Sequence, residues 1–152
     1  MKITFVEVEE WEKDTLQKAY PDATQTHDKL TEENAKDFAD TEVLCTFITS
    51  TCNEKVLSQL PNLKLIVTRS TGFDHVDLNY AKAHNIIVSN VPEYGSHTVA
   101  EHAFALILSL TRKLYKAMKQ VHEMEFDHEN LTGMDLYGKT LGIVGLGKIG
   151  MN

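Results

Sequence analysis

The sequence is poor in cysteine, in basic residues and in long apolar runs, and each shortage removes a class of protein. Two cysteines, Cys45 and Cys52, are too few for a disulfide framework and read as reduced thiols of a cytoplasmic protein. Lys and Arg number 15 against 22 Asp and Glu, a formal net charge of −7. Nucleic acid and anionic membranes select clustered cations, so neither is expected as a partner. The N-terminus turns acidic at Glu7 after a short apolar run and is not a signal peptide. There is no internal repeat, no low-complexity segment and no metal-ligand pattern.

What is present is enough apolar content, 42% of 152 residues, for one real core. Lys2–Val6 reads as a strand, and Trp11, Thr15, Leu16 and Ala19 follow at helical spacing up to Tyr20-Pro21. A short polar strand is expected at Ala23–His27 and a short helix after Thr31. Val43–Ile48 is a nearly continuous apolar run, as in a strand covered on both faces. Thr51-x-x-Glu54 has the form of a capping box for a helix through Leu60. Leu63–Val67 and Ile86–Val88 are further strands, with a helix capped by Asp77 between them. Strands alternating with helices imply parallel pairing, so residues 1–97 are expected to form an α/β, flavodoxin-like doubly wound parallel sheet.

A second capping pattern, Thr98-x-x-Glu101, opens a predicted helix to about Lys119. Its centre, Ala103–Leu110, is apolar all round, the mark of a helix covered on every side. The stretch is bounded by Glu101 and Arg112 and is too short to cross a bilayer. Residues 98–122 therefore read as a long inter-domain helix. Residues 123–152 read as a connector followed by the start of another domain, whose first strand is Thr140–Val144. Gly145-Leu146-Gly147-Lys148-Ile149-Gly150 follows that strand directly, the context a dinucleotide fingerprint needs. Gly145 permits the tight turn, Gly147 lets the backbone approach a pyrophosphate, and Gly150 allows close packing. Only Met151 and Asn152 follow, so the adenosine side of a Rossmann unit is not represented.

Two loops lie after strands, at the edge where open α/β sheets bind ligands. In Thr68–Asp77, small residues ending in Gly72 can present N–H groups to an anion, and the same residues equally suit a plain strand-to-helix loop. In Asn90–His97, Tyr94 projects from a turn shaped by Pro92 and Gly95, either to pack or to line a cleft. A receiver domain shares the flavodoxin-like outline but needs an aspartate after the third strand, where this chain has Ile48-Thr49-Ser50.

Taken together, Ser70–Asp77, Asn90–Tyr94, Val99–His102 and Leu136–Gly150 resemble, in order and spacing, the D-isomer-specific 2-hydroxyacid dehydrogenases. Tyr94 points to the D-lactate dehydrogenase branch. The resemblance implies a substrate domain first and an NAD(P)-binding Rossmann domain entered through the long helix. It also implies hydride transfer between a nicotinamide and a 2-oxo or D-2-hydroxy acid. By analogy Thr71, Gly72 and Tyr94 bind substrate. Thr71, Val99, Gly145, Gly147, Lys148, Ile149 and Gly150 contact NAD or NADP. The family's substrate-clamping arginine, catalytic histidine and partnering glutamate lie beyond the fingerprint, and His75, His97 and His102 match none of them. The chain is thus expected to be the N-terminal fragment of such an enzyme, with no catalytic residue of its own, inactive alone and binding dinucleotide weakly or not at all. The alternative is a non-catalytic, homo-oligomerising interaction module derived from the family, associating through helix 98–119.

Overall fold

Val43–Thr46 (β3) is buried at every position, as an apolar run flanked on both sides must be. It lies at the centre of a five-stranded sheet of order β2-β1-β3-β4-β5. The others are β1 (Ile3–Phe5), β2 (Thr24–Gln25), β4 (Leu65–Thr68) and β5 (Ile87–Ser89). Every pair is parallel, with Phe5 opposite Cys45, Leu44 opposite Ile66 and Ile66 opposite Val88. This is the flavodoxin-like order expected, in a computed structural model that describes residues 1–152. The chain divides into two compact units, Met1–Tyr94 and Gly95–Asn152.

The sheet's two faces carry separate cores. Leu44 and Ile66 point to the larger one, with Val6, Leu30, Val56, Leu57, Ala81 and Ile86. It is covered by a 3-10 turn (Ala35–Phe38), α2 (Glu54–Leu57) and α3 (Leu78–Ala83). On the other face Phe5, Val8, Val43 and Cys45 form a smaller core, against which Leu16 of α1 (Glu10–Ala19) packs. Trp11, placed on the buried side by helical spacing, instead stands 80% exposed near the start of α1. Asp77 caps α3 as expected, its carboxylate accepting from the N–H groups of Asn79 and Tyr80. The cap of α2 is Asn53 rather than Thr51; its side chain accepts from Val56 N–H at 3.0 Å. α2 is accordingly a single turn.

In the second unit the expected continuous helix 98–119 is two helices, α4 (Ser96–Thr111) and α5 (Leu114–His122). Lys113 separates them with φ +51°, the left-handed conformation that ends an α-helix. Neither helix buries a residue. The all-round apolar pattern of α4 leaves Phe104, Leu106, Leu108 and Leu110 exposed. Thr140–Val144, expected as the first strand of a Rossmann unit, is not a strand, and Val144 is fully exposed. A parallel strand needs a neighbour for its ladder, and every strand of the chain belongs to the first sheet. No helix is long and apolar enough to cross a membrane.

Candidate functional site

The sheet order turns back on itself between β1 and β3, and ligands of open α/β sheets sit at the carboxyl ends of the strands there. The loops after β1, β3, β4 and β5 all reach that edge. Their side chains are tied to one another rather than left loose.

The loop after β4 is held by the loop after β5. Thr71 Oγ1 donates to the Val91 carbonyl at 3.0 Å. Asn90 Nδ2 donates to the Thr71 carbonyl at 2.8 Å, and Val91 N–H donates to the Ser70 carbonyl at 3.0 Å. Ser70 Oγ closes the turn on the Gly72 carbonyl at 2.7 Å. None of these bonds uses the N–H of Thr71 or of Gly72, and both residues are exposed. The loop is thus fixed through its carbonyls and hydroxyls, and the N–H groups of Thr71 and Gly72 take no part in these bonds. Tyr94 stands exposed at the tip of its turn, directly after Glu93 with φ +72°.

Two residues that sequence patterns did not single out organise the same edge. Glu7, two residues after β1, has φ +57° and is buried. Its Oε2 accepts from Thr46 Oγ1, Phe47 N–H and Ser50 Oγ at 2.8, 2.9 and 2.5 Å. Its Oε1 accepts from Ile48 N–H, Thr49 N–H and Thr49 Oγ1 at 3.2, 2.7 and 2.7 Å. Burial pushes this carboxyl up, but the hydrogen bonds from Ser50, Thr49 and Phe47 outweigh it and hold it down at about 2. Arg69, the first residue after β4, donates from Nη2 to the Val6 and Glu7 carbonyls, both at 2.8 Å, and from Nη1 to Glu12 at 2.5 Å. These partners lie 39 to 63 positions apart in the chain, beyond the reach of any local pattern.

His75 sits in the loop after Thr71-Gly72, with its Nε2 buried and without a partner. Burial lowers its pKa, against opposing pulls from Glu7 and Asp74, and favours the neutral ring. Burial likewise pushes the thiols up, Cys45 to about 11 and Cys52 to about 12, so neither is a nucleophile at neutral pH.

In the second unit Val99 lies exposed in the first turns of α4. The glycine segment forms a tight turn rather than a developed helix. Gly145 has φ +96°, open to glycine alone at low cost, and a Cβ on Gly150 would run into the Gly145 carbonyl oxygen. At Gly147 a Cβ would meet nothing within 4 Å, so its approach side is open. Met151 N–H donates to the Gly147 carbonyl at 3.0 Å, the first bond of a helical turn. These features fit a pyrophosphate. Lys148 and Ile149 lie on the same turn.

Residues 3–133 match the family model of the D-isomer specific 2-hydroxyacid dehydrogenase, catalytic domain. The chain belongs to this family. It is 40% identical over 126 residues to a 2-hydroxyacid dehydrogenase homolog of Zymomonas mobilis, covering 82% of this chain and 38% of that protein. To the D-lactate dehydrogenase of Escherichia coli it is 39% identical over 124 residues, covering 80% of this chain and 38% of that protein. The structure of Aquifex aeolicus D-lactate dehydrogenase, solved with NAD and lactic acid, superposes with a TM-score of 0.90 at 33% identity. That match covers 99% of this chain and 46% of the other, so it extends into the glycine turn. The chain spans less than half the length of these relatives.

Proposed function

We propose that the chain provides the substrate-binding part, and the first element of the cofactor-binding part, of an NAD(P)-dependent D-2-hydroxyacid dehydrogenase. Residues 1–97 are the substrate domain, 98–122 the inter-domain helices, and 123–152 the start of the cofactor domain. The observation that carries the reading is the exposed Thr71-Gly72 loop, fixed by Asn90 and Val91 through bonds that leave the Thr71 and Gly72 N–H groups unused. Those two N–H groups hold the carboxylate of a small 2-oxo or 2-hydroxy acid, and Tyr94 lines the pocket. Val99 and Thr71 contact the nicotinamide. Gly145, Gly147, Lys148, Ile149 and Gly150 take the pyrophosphate on their amide groups. When bound, NAD or NADP supplies or accepts the hydride. By family analogy, no residue among the 152 serves as the proton donor or the substrate clamp, so the chain by itself has no turnover.

Amide spectra of the labelled chain test this. Oxamate or pyruvate should shift the Thr71 and Gly72 resonances first, while NADH with pyruvate stays unconsumed. Shifts confined to other loops would sink the assignment, and sustained NADH oxidation would sink the claim of inactivity.

A second property is favoured by the exposed apolar side chains of α4, a contiguous surface of the kind that finds a partner. We read it as a homo-oligomer contact through residues 98–119. Light scattering should show a species larger than a monomer, reduced by Leu110→Lys. A monomer at high concentration would refute it.

A further inference from the structure

The Glu7 carboxylate lies in surroundings built to receive an anion. Three successive backbone N–H groups, Phe47, Ile48 and Thr49, converge on it, joined by the hydroxyls of Thr46, Thr49 and Ser50. Each carboxylate oxygen takes three donors. Successive amides turned to one side form a concavity that binds anions wherever it occurs. Here it stands beside the reversal of strand order, where doubly wound sheets hold ligands. The occupant belongs to the chain itself, and it is held at a cost. Glu7 adopts φ +57°, a region that non-glycine residues occupy only when their surroundings force them. Arg69 grips the same residue from behind through its carbonyl. A hollow of about 390 Å³ borders the cradle, lined by Glu7, Phe47, Ile48 and Thr49 together with Glu9, Asp28, His27 and Lys29.

We propose that residues 46–50 form an anion cradle in which Glu7 acts as a built-in carboxylate, and that the cradle, once emptied, binds a small free monocarboxylate. Glu7 is then a positioning residue. Its ionised carboxylate fixes the loop after β3, and Arg69 couples that fixed point to the start of the Thr71-Gly72 loop. This inference rests on the cradle's own geometry and stands apart from the substrate assignment at Thr71 and Gly72.

Glu7→Gly is the variant of choice, because glycine accepts the positive φ while the side chain and its charge are removed. The full chain carrying it should unfold at lower urea than the native protein in chloride. Acetate or propionate at matched ionic strength should restore about half of the lost midpoint or more, the gain rising with the logarithm of its concentration, as for a ligand of the folded state alone. The native protein should respond to acetate no more than to chloride. A variant that folds only with acetate present supports the proposal as well. One that stays unfolded at every acetate concentration, or a gain equal to that of the native protein, overturns it. Glu7→Gln offers a second measurement, since an amide presents one acceptor oxygen where the carboxylate presents two. Exchange of the Ile48 and Thr49 amides should speed up about tenfold or more relative to β3, and unchanged exchange overturns the proposal. Neither readout involves substrate, so their failure leaves the amide-shift test at Thr71 and Gly72 untouched.

Discussion

Asn90 and Thr71, 19 positions apart, are joined by a 2.8 Å hydrogen bond from the Asn90 amide to the Thr71 carbonyl. The Thr71 hydroxyl returns the tie on Val91. The segment after β5 therefore sets the conformation of the segment after β4, where the substrate carboxylate is proposed to sit. Asn90→Ala should cost about 0.5–1.5 kcal/mol, the usual net worth of one such bond. Thr71→Val should cost a similar amount. The double variant should lose less than the sum, because both bonds belong to one network. Urea unfolding of the four proteins measures this, and full additivity would show that the two loops are independent.

The Glu7 carboxyl makes stability depend on acid. Its pKa in the folded chain is about 2 against an ordinary 4.5, so the folded state holds the charged form more firmly than the unfolded state does. The contribution is complete above pH 4.5 and is lost as pH falls toward 2. Its size is roughly 3 kcal/mol. Glu7→Gln should be less stable at neutral pH and should flatten the acid limb of the stability curve. A limb of unchanged steepness would mean that other carboxylates carry it; partly buried Glu42, lowered to about 2 by Lys64 and the Lys2 amide, is the first to examine.

His75 acts in a higher window. Its folded pKa lies below the ordinary 6.5, chiefly because of burial, so below that pH the unfolded chain takes up a proton that the folded chain resists. Stability is complete above 6.5 and declines as pH falls toward the lowered value. His75→Phe should remove that decline below pH 6.5 while leaving the Glu7 limb in place. Imidazole resonances followed against pH give the same answer directly: a His75 titrating at or above 6.5 would contradict the burial.

Much of this was legible from residue types alone. The apolar run at Val43–Ile48 announced a strand covered on both faces, which holds for Val43–Thr46 while Ile48 stands exposed, and the alternation of strands and helices announced parallel pairing. The loops at Thr71 and Tyr94 stood out because turn residues follow strands there. Features made by distant partners were not legible. Glu7 looks like the start of an acidic surface stretch until the amides of residues 47–49 are brought to it. Lys113 looks like one cation in a dipole-matched helix end, and nothing local foretells its left-handed φ. Thr140–Val144 has strand composition, but composition supplies no neighbouring strand. The turn at Gly145–Gly150 was legible, because Gly145 and Gly150 answer to local geometry.

The glycine turn separates two reasons for having glycine. Gly147→Ala adds a methyl group where nothing lies within 4 Å, so the turn should survive it. Gly150→Ala drives a Cβ into the Gly145 carbonyl, and Gly145→Ala strains a φ of +96°, so either should open the turn. Amide resonances of Ile149–Asn152 distinguish the three. Spectra of Gly147→Ala that match the native chain would mark that glycine as kept for an approaching ligand rather than for the fold.

Arg69 and Lys13 offer a comparison between an ion pair that shapes the edge and one that does not. Lys13 meets Glu10 on the outer face of α1, both well exposed, and Lys13→Met should change stability by about 0.5 kcal/mol at most. Arg69 meets Glu12 with both side chains only 18% exposed, and it also satisfies the Val6 and Glu7 carbonyls. Removing one partner strands the other charge and two acceptors, so Arg69→Met should cost about 3 kcal/mol. Glu12→Gln should cost less, because Arg69 keeps both carbonyls. If Arg69→Met and Glu12→Gln cost the same, the carbonyl contacts contribute nothing, and Arg69 ties its loop to Glu12 of α1 rather than to Glu7.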